Sequence, residues 1–531
     1  MIEITPDPKI LAQLRHEFPR PAKSAEKALA KYVSLLESLV LKSMVLGRTP
    51  LQRKIQTYYV SLSDLALKGG QIGPKKIRLH KWLESRNLSL IDVVTKGSNL
   101  TQMLSEVKLS TLVTMVDHHE VDPIKLDLMD DEQTKKYLDG SDRHNLELFR
   151  LMYPDFSVNL TADQIDAVFD RLKVDQESLQ AYLIWVASKS TKMAADKKEA
   201  AIRQGKTILA ISKVLSGDYL MRKQPSAFGR MYYEGVSIQN INKELRRAVL
   251  GDSWEYDIRS SVVSWKMGFA SRYVMTEGLD VRVRDEFKWT SLYLDDRDDY
   301  LKTTAHFVFL EDSEVPKDLR FKLMKRAFTA LSFGATLKSQ AWLDKAGDWK
   351  TTALTDIIKN EDERHRFIND KGVKEFMREQ NLLDDFIFEQ AVQACPYLLN
   401  LDILKTQSGR ISKPKVLAYL YQHAETMVME ELIKKAKSKG HHPIAKVHDA
   451  IFFKKRLGTE LKEDCEIAMR EQTGNPYWRL KPTQLERYKY ESKDELREVA
   501  AHKARIAQEE KLAKIYAASK AKTVAVRPNN S

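Results

Sequence analysis

Apolar residues recur every three to four positions through most of the first 215 residues, as they do in amphipathic helices. Two clear sets lie in residues 35–40 and 183–187. This spacing predicts that residues 21–215 are largely helical, with short polar breaks between the helices. The last long helix is predicted to begin near residue 180 and to close at Ser216-Gly217-Asp218, where we place a domain boundary.

The pattern changes after this boundary. Residues 229–268 mix β-branched and aromatic residues with short helical stretches, which is typical of a domain that combines a sheet with helices. Helical spacing returns in residues 316–343 and 416–439, and residues 443–455 carry enough Ile, Val and Phe for two strands. A charged helix over residues 493–522 precedes a tail that we expect to be disordered. The fold class predicted is α+β.

Length and composition bound the class of protein. A chain of 531 residues with 43% hydrophobic and 9% aromatic residues can form two or three domains or one elaborated architecture. No apolar stretch has bilayer length and residues 1–18 carry charges throughout, so we expect no membrane segment, no secretory signal and a cytoplasmic protein. Cys395 and Cys465 are far apart, which supports neither a disulfide framework nor a thiolate zinc site.

The net charge favours a polyanionic partner. It is +13 at pH 7, and a protein that neutralises phosphates releases their counterions and so binds nucleic acid without reading bases. Residues 68–76 form a glycine-rich basic turn that could touch phosphates. The turn lacks P-loop spacing, and we predict a solvated loop there.

Two aspartates stand at positions suited to phosphoryl transfer. Nucleotide transfer onto a nucleic-acid end uses two divalent ions about 4 Å apart, which need at least two carboxylates on rigid supports. Asp257 follows an apolar segment, and Glu255 shares its face if this segment is a strand. Asp449 lies between the two strands predicted in residues 443–455. Each aspartate alone would also suit a cap or a turn, and only a fold that pairs these strands would unite them.

A basic helix lies between the two aspartates. Lys322, Lys325, Thr329 and Phe333 recur at three- and four-residue steps and so share one side of the helix. A lysine there would meet a triphosphate as a compact charge, and the Phe333 ring would pack under a base or sugar. A solvated cationic edge has the same pattern. Gly334, predicted inside the helix, weakens it and indicates a packing or functional role.

These segments resemble the phage-type single-subunit RNA polymerases and their relatives, the family A DNA polymerases. Residues 256–257 (Tyr-Asp) resemble motif A, residues 325–334 resemble motif B, and residues 447–449 (Val-His-Asp) resemble motif C. Residues 228–232 are similar to the Gly-Arg-x-Tyr element upstream of motif A, and residues 422–425 to the element that faces the minor groove of the growing duplex. The five segments stand in the family's order.

The resemblance implies a role for each matching residue. Asp257 and Asp449, with the backbone carbonyl of Ile258, would bind two Mg²⁺ ions, for which Mn²⁺ can substitute. Lys325 would act in catalysis by holding the incoming triphosphate. The other nucleotide-binding residues implied are Phe333, Arg320 and Lys322. The residues implied to contact template, primer or transcript are Arg230, Gln422, His423 and His448.

The chain departs from the family where nucleotides are sensed. Phe321 stands where the family places an arginine before the motif B lysine, which leaves Arg320 or Lys322 as substitutes. Phe333 replaces the tyrosine that RNA-making members use, and Val262 stands where family A DNA polymerases carry a gating glutamate. We therefore expect relaxed sugar discrimination, or sensing by other residues.

The resemblance also implies a polymerase right hand, with palm, fingers and thumb, on the α+β fold. Its predicted parts are a helical N-terminal domain (residues 1–215, thumb-like or template- or promoter-binding), a first palm part with motif A (216–310), fingers with motif B (311–439), a second palm part with motif C (440–490), and a charged C-terminal helix and tail (491–531).

The function expected is template-directed nucleotidyl transfer with release of pyrophosphate, most like that of a DNA-directed RNA polymerase. The partners implied are a DNA template, a nascent RNA or DNA strand and nucleoside triphosphates, in a bacterial host's cytoplasm if a phage or plasmid encodes the chain. A family A-type DNA polymerase or primase-polymerase for phage or plasmid replication is the alternative. A non-enzymatic DNA-binding replication protein is the remote one.

Two histidine-containing segments suggest other metal sites. Residues 117–119 (Asp-His-His) resemble the signature of manganese-dependent phosphoesterases, but the upstream aspartates that complete such a cluster are missing, and we predict a polar helix end. His441-His442 could join His448 as metal ligands, although adjacent histidines at a glycine turn are more often solvated.

Overall fold

The computed structural model describes residues 2–19, 22–45, 57–96, 104–117, 123–157, 161–188, 193–278, 282–340, 342–343, 349–350, 352–406 and 408–492, with shorter stretches up to residue 508. The described residues form two compact units, the first within residues 1–224, 233–252 and 486–531, the second within residues 225–232 and 253–485. The helix predicted over residues 493–522 lies mostly outside the described residues. None of the helices in the described ranges is long and apolar enough to cross a membrane.

The first unit combines helices with short antiparallel strands. Its helices are α1 (Pro8–Glu17), α2 (Ala22–Val45), α3 (Leu62–Lys68), α4 (Leu79–Ser85), α5 (Pro123–Leu128), α6 (Asp131–Asp139), α7 (Asp142–Met152), α8 (Ala162–Val168), α9 (Gln176–Ala187), α10 (Ala195–Val214) and α11 (Lys243–Leu250). Its strands are β1 (Ile2–Pro6), β2 (Tyr58–Val60), β3 (Gln71–Ile72), β4 (Ile77–Arg78), β5 (Ile91–Thr95), β6 (Ser105–Leu109), β7 (Val113–Asp117), β8 (Phe169–Lys173), β9 (Asp218–Pro225) and β10 (Met231–Glu234), the last two of which reach into residues of the second unit. Strand β1 pairs with β7, β6 with both β2 and β5, β3 with β4, and β8 with β9.

The prediction of a helical pattern throughout residues 21–215 is wrong in part, because β2–β8 lie within it. These strands have two to five residues, so a period-two pattern has no room to show, and several pair with strands distant in sequence. The predicted long helix from residue 180 is two helices, since Ser188 has extended backbone geometry and ends α9 before α10 begins. The basic turn at residues 68–76 contains β3 and the turn that connects it to its antiparallel partner β4.

The second unit contains a four-stranded antiparallel sheet of order β14-β15-β11-β16. The unit's strands are β11 (Ser253–Ile258), β12 (Trp342–Leu343), β13 (Trp349–Lys350), β14 (Pro443–Val447), β15 (Ala450–Phe453) and β16 (Leu480–Leu485). Its helices are α12 (Ser261–Thr276), α13 (Val283–Glu286), α14 (Lys288–Asp295), α15 (Arg297–Val308), α16 (Lys317–Ser332), α17 (Ala353–Ile357), α18 (Glu361–Asn369), α19 (Lys371–Ala394), α20 (Lys413–Ser438) and α21 (Thr459–Thr473). The two strands predicted in residues 443–455 are confirmed as β14 and β15.

Two apolar cores pack the helices of this unit on and around the sheet. Tyr256 and Ile258 of β11 pack with Val428 of α20 and Met469 of α21, so both helices cover one face of the sheet. A second core joins α12 to the helices from α13 to α19, with Phe328 of α16 fully buried within it. Burying one such side chain contributes about 1.5–3 kcal/mol, so the supports of the site are strongly held.

A buried lysine ties three helices together. Lys266 of α12 is 2% exposed; its ammonium group donates to the carbonyl oxygen of Ser332 at 2.9 Å and pairs with Asp384 of α19 at 2.6 Å. Burial lowers the pKa of Lys266, whereas Asp384 opposes that shift. A cation at the last carbonyls of a helix is favourable because of the helix dipole. The end of α16 is therefore fixed against α12 and α19.

Helix α16 ends earlier than the helix predicted over residues 316–343. Phe333 is its C-cap, and Gly334 follows with φ of 87°, a left-handed conformation that glycine adopts without steric cost. The prediction that Gly334 lies inside the helix is thus wrong, because this glycine ends the helix. Phe333, which is 60% exposed, stands at the helix end.

Candidate active site

Pairing of β11 with β15 brings Asp257 and Asp449 together. Asp257 lies opposite Ala450, and the Ile258 amide donates to the backbone carbonyl oxygen of Asp449 at 3.0 Å. Side chains alternate along a strand, so Glu255 and Asp257 share the face opposite to that of the buried Tyr256. The sheet thus supplies the pairing on which the sequence prediction depended.

The turn between β14 and β15 presents His448 and Asp449. His448 has φ of 50°, which is uncommon for a residue other than glycine and indicates a locally constrained backbone. Its ring meets that of Tyr232 edge-on, with 5.8 Å between centroids. The Asp449 carboxylate accepts a hydrogen bond from the Ser261 hydroxyl at 2.8 Å. Both residues of the turn are therefore held by side chains from other segments.

A cavity of about 310 Å³ lies beside the two aspartates. The predicted site residues that line it are Asp257, Ile258, Asp449, Lys325, Phe333, Arg230 and His448. They come from β11, α16, the β14–β15 turn and the segment before β10, which are widely separated in sequence. The fold thus brings together representatives of four of the five segments singled out in the sequence.

Helix α16 contributes one stripe to this cavity. Lys325, Thr329 and Phe333 line it at four-residue steps, as the helical pattern predicted. The Phe333 ring meets that of Tyr421 edge-on, with 6.1 Å between centroids. Lys322, also predicted to bind nucleotide, is exposed and lies outside the described lining of the cavity.

The charges around the cavity act on the pKa of Asp257 in opposite directions. Burial, followed by the nearby charges of Asp449 and Glu255, raises the pKa of Asp257 to about 7, while Lys325 and Arg297 act in the opposite direction. Two like charges in a partly buried site repel each other, so the proton on Asp257 relieves an electrostatic conflict. A divalent cation would relieve the same conflict.

The donor set fits Mg²⁺ in the way that nucleotide-dependent enzymes hold it. Among the residues that the structure describes, no three His, Cys, Asp or Glu side chains gather around one point. Mg²⁺ is typically bound by one or two carboxylates, with waters and substrate phosphates completing its shell. Asp257 and Asp449 supply two carboxylates of this kind, and the cavity leaves room for the remaining ligands.

Without divalent ions, the stability that Asp257 confers should fall as pH rises from about 4 to about 7. The folded pKa is about 7 and the ordinary value 3.8, so the folded chain keeps a proton that the unfolded chain has lost. Unfolding is then favoured progressively across this window, by a few kcal/mol at most. Thermal unfolding in the presence of a chelator should therefore show that Asp257→Asn becomes more stable relative to the wild type as pH rises. If the unfolding temperatures of the two proteins change with pH in parallel, this prediction is contradicted. Added Mg²⁺ should reduce the difference in stability between the two proteins.

The sequence prediction missed Arg297. This residue begins α15, is 9% exposed, lines the cavity and donates to the Ser260 hydroxyl at 3.3 Å. Its charge also opposes the rise in the pKa of Asp257. In the sequence it stands among four aspartates, as on an ordinary solvated helix start. No local signal marks it; only its buried position does.

Arg230 lines the cavity and is also bound to the protein. Its guanidinium donates to both carboxylate oxygens of Glu425, with the Nε contact at 2.8 Å, and lies 5.5 Å from the centre of the Tyr421 ring. The Thr426 hydroxyl lies 3.2 Å from the Gly229 carbonyl oxygen and 2.9 Å from that of Gln422, and a Cβ on Gly229 would come within 2.9 Å of the His423 ring. The segment before β10 is thus fastened to α20. Contact of Arg230 with nucleic acid stays a prediction.

The remaining predicted residues lie elsewhere. Gln422 and His423 are half-buried on α20 outside the cavity's described lining, and His423 packs on Tyr419 with 4.2 Å between ring centroids. Arg320 donates to the backbone carbonyl oxygens of Phe309, Leu310, Ser313 and Val315, so it braces the chain before α16. Roles of all three in binding stay predictions.

The rival metal sites gain no ligands from the structure. His118 and His119 lie outside the described residues, and of this segment only the backbone of Asp117, at the end of β7, is described. His441 is half-buried and His442 exposed, and the described part of the chain groups neither with two other metal-ligand side chains.

Comparison with known proteins identified no family. No family model and no curated protein matches the chain. Among solved structures, one match is the "POL domain of Pol1 from M. smegmatis complex with DNA primer-template and dNTP", at 14% identity over 69% of this chain and 67% of that chain, with a TM-score of 0.35. A likeness of this degree does not establish a shared fold.

Proposed function

We propose that this chain is a template-directed nucleotidyltransferase, most like a DNA-directed single-subunit RNA polymerase. The observation that carries the proposal is the single cavity where Asp257, Asp449, Lys325 and Phe333 meet. Two carboxylates beside a lysine and an exposed aromatic ring match what binding of metal ions, a triphosphate and a base or sugar requires. The proposed partners are a DNA template, a nascent strand and nucleoside triphosphates.

The two aspartates would hold the metal ions, with the Ile258 backbone carbonyl as a further ligand. Magnesium bound there supplies charge stabilisation on the phosphates and activation of the attacking hydroxyl. Lys325 and Arg297 place two positive charges on the cavity wall, suited to the phosphates of a nucleotide. Phe333 offers an apolar surface for the base or sugar. Catalysis of this kind is mostly positioning and electrostatic stabilisation, which suits side chains fixed on a rigid sheet and helices.

A protein that only binds DNA is less well supported. Burial, followed by the charges of Asp449 and Glu255, raises the pKa of Asp257, so holding these carboxylates together costs stability, which a binding surface does not need. Basic surface charge alone would suffice for binding. The arrangement therefore favours an enzyme.

In a right-hand arrangement, we would assign the β11–β14–β15–β16 sheet to the palm and α16 with its neighbouring helices to the fingers. Asp257 and Asp449 would then stand on the palm, and Lys325 and Phe333 on the fingers. The first unit would contain the predicted N-terminal domain, with a role in binding template or promoter.

Incorporation of labelled ribo- and deoxyribonucleotides on primed and unprimed DNA templates tests the proposal. We expect template-dependent incorporation that requires Mg²⁺ or Mn²⁺. Val262 and Phe333 both line the cavity and carry neither a carboxylate nor a hydroxyl, so we expect weak discrimination between the two sugars. Strict exclusion of one sugar would contradict the expected weak discrimination. If nucleotides of neither type were incorporated, the proposed function would be refuted. Preference for deoxyribonucleotides on a primed template would favour the DNA polymerase alternative.

A further inference from the structure

A chain of hydroxyl groups leads to one of the two aspartates. The Ser261 hydroxyl donates to Asp449 Oδ2 at 2.8 Å, and the Tyr421 hydroxyl donates to Ser261 Oγ, also at 2.8 Å. Ser261 begins α12, immediately after the β11 strand that carries Asp257, whereas Tyr421 lies in the middle of α20. Three separate segments thus meet at the Asp449 carboxylate.

The direction of these hydrogen bonds follows from the protons available. An ionised carboxylate only accepts, and a serine hydroxyl has one proton to donate. Ser261 therefore gives its proton to Asp449 and must accept from Tyr421. Burial, followed by the charges of Glu425 and Asp449, raises the pKa of Tyr421 well above its ordinary value, so its hydroxyl keeps the proton that the chain needs.

Tyr421 is itself fixed from several sides. It is 3% exposed; its ring packs against Trp265 at 5.7 Å and Phe333 at 6.1 Å between centroids, and the Arg230 guanidinium lies over it. Glu425, one helical turn further along α20, is held by Arg230 and also interacts with the Tyr421 hydroxyl. Such a side chain has little freedom to turn, so it transmits a fixed orientation to Ser261.

We propose that Ser261 and Tyr421 are positioning residues that orient the Asp449 carboxylate for a divalent cation. With Oδ2 held by Ser261, Oδ1 keeps one direction relative to the cavity, and binding an ion then requires no reordering of the side chain. Hydrogen bonds to metal-ligating carboxylates act in this way in many metal sites. The inference rests on the proposed function only in taking Asp449 as an ion ligand.

Binding of Mn²⁺ to the full chain, measured by electron paramagnetic resonance, tests the inference without relying on catalysis. The Mn²⁺ site in question is the one at which binding is lost in Asp449→Asn. Ser261→Ala should weaken binding at that site about 10- to 100-fold, the usual effect of losing such a supporting group. Tyr421→Phe should weaken it about 2- to 10-fold, the range for one neutral hydrogen bond. Ser261→Thr keeps a hydroxyl and should therefore retain most of the wild-type affinity for Mn²⁺.

The chain offers matched controls for both positions. Ser264 lies on the same helix as Ser261 but donates to the Arg259 carbonyl oxygen, and Tyr419 lies on the same helix as Tyr421 outside the cavity's described lining. Ser264→Ala and Tyr419→Phe should bind Mn²⁺ like the wild type. Equal losses in Ser264→Ala and Ser261→Ala would reveal a general packing effect and overturn the inference.

Other outcomes separate this inference from the proposed function. Wild-type affinity in a folded Ser261→Ala protein overturns the inference even if the wild type incorporates nucleotides. If Ser261→Ala does not fold, wild-type affinity in Tyr421→Phe overturns it instead. Ser261-dependent Mn²⁺ binding by a chain that incorporates no nucleotide would support the inference and refute the proposed function.

Discussion

Replacing Asp449 or Asp257 with asparagine should abolish nucleotide incorporation while leaving the protein folded. A neutral amide oxygen is a poor ligand for Mg²⁺, so the variant loses ion-dependent stabilisation of charge in the transition state. We expect a loss of at least about 10³-fold in rate, since even one well-placed hydrogen-bond donor to a developing charge contributes 10²–10³. The measurement is extension of labelled primer or transcript on a defined template.

Stability and DNA binding distinguish this loss from misfolding. Asp257→Asn removes a carboxylate whose pKa is raised by burial and then by repulsion from Asp449 and Glu255, so the variant's thermal unfolding temperature should match or exceed that of the wild type. Both variants should bind DNA as the wild type does. Asp385→Asn removes a carboxylate that is 61% exposed on α19 and serves as the matched control, with unchanged incorporation. Wild-type extension by Asp449→Asn would contradict the assignment of the site.

Replacing Lys325 with alanine should weaken use of the incoming nucleotide. Lys325 lines the cavity and is close enough to Asp257 for its charge to oppose the rise in the pKa of that carboxyl, so its ammonium group stands near the proposed metal site. Hydrogen bonds from charged groups contribute about 1.5–3 kcal/mol, and we expect kcat/KM for the nucleotide to fall about 10- to 100-fold. Steady-state incorporation at varied nucleotide concentration measures this.

Two other basic residues of α16 provide comparison variants for that test. Arg326 is adjacent, exposed and outside the described lining of the cavity, so Arg326→Ala should leave kcat/KM for the nucleotide unchanged. Lys322→Ala should have a smaller effect than Lys325→Ala, since Lys322 lies one turn away from the cavity. A larger loss in Lys322→Ala would instead support a nucleotide contact through Lys322 and contradict the present assignment.

Local periods in the sequence predict the helix and the strands that carry the candidate site. The stripe of Lys325, Thr329 and Phe333 depends only on helical spacing, and β14 and β15 depend only on a run of β-prone residues. The strands of the first unit were missed because they are short and pair with distant partners. Helical spacing does not mark the end of α16, because a glycine such as Gly334 can weaken a helix from within or end it, and the left-handed φ that ends it is not visible in the sequence.

Contacts between distant segments account for the rest. Arg297 resembles any charged residue at a helix start until burial places it on the cavity wall. The resemblance implies Arg320 as a substitute for the arginine that the family places before the motif B lysine, yet its guanidinium is engaged by four backbone carbonyl groups. The environments of both arginines depend on how helices pack, which residue spacing does not specify.

The order of chemical groups along the chain is a property of the amino-acid sequence alone: an aspartate, a basic helix with an aromatic residue, and a second aspartate in a β-turn. Local periodicity also placed those groups on a helix or a strand, because it reflects backbone geometry over a few residues. That Asp257 and Asp449 share a cavity with Lys325, and that Ser261 holds Asp449, follows from the packing of distant segments. Distance through space governs both Coulomb repulsion and hydrogen bonding, and the pairing of β11 with β15 sets that distance.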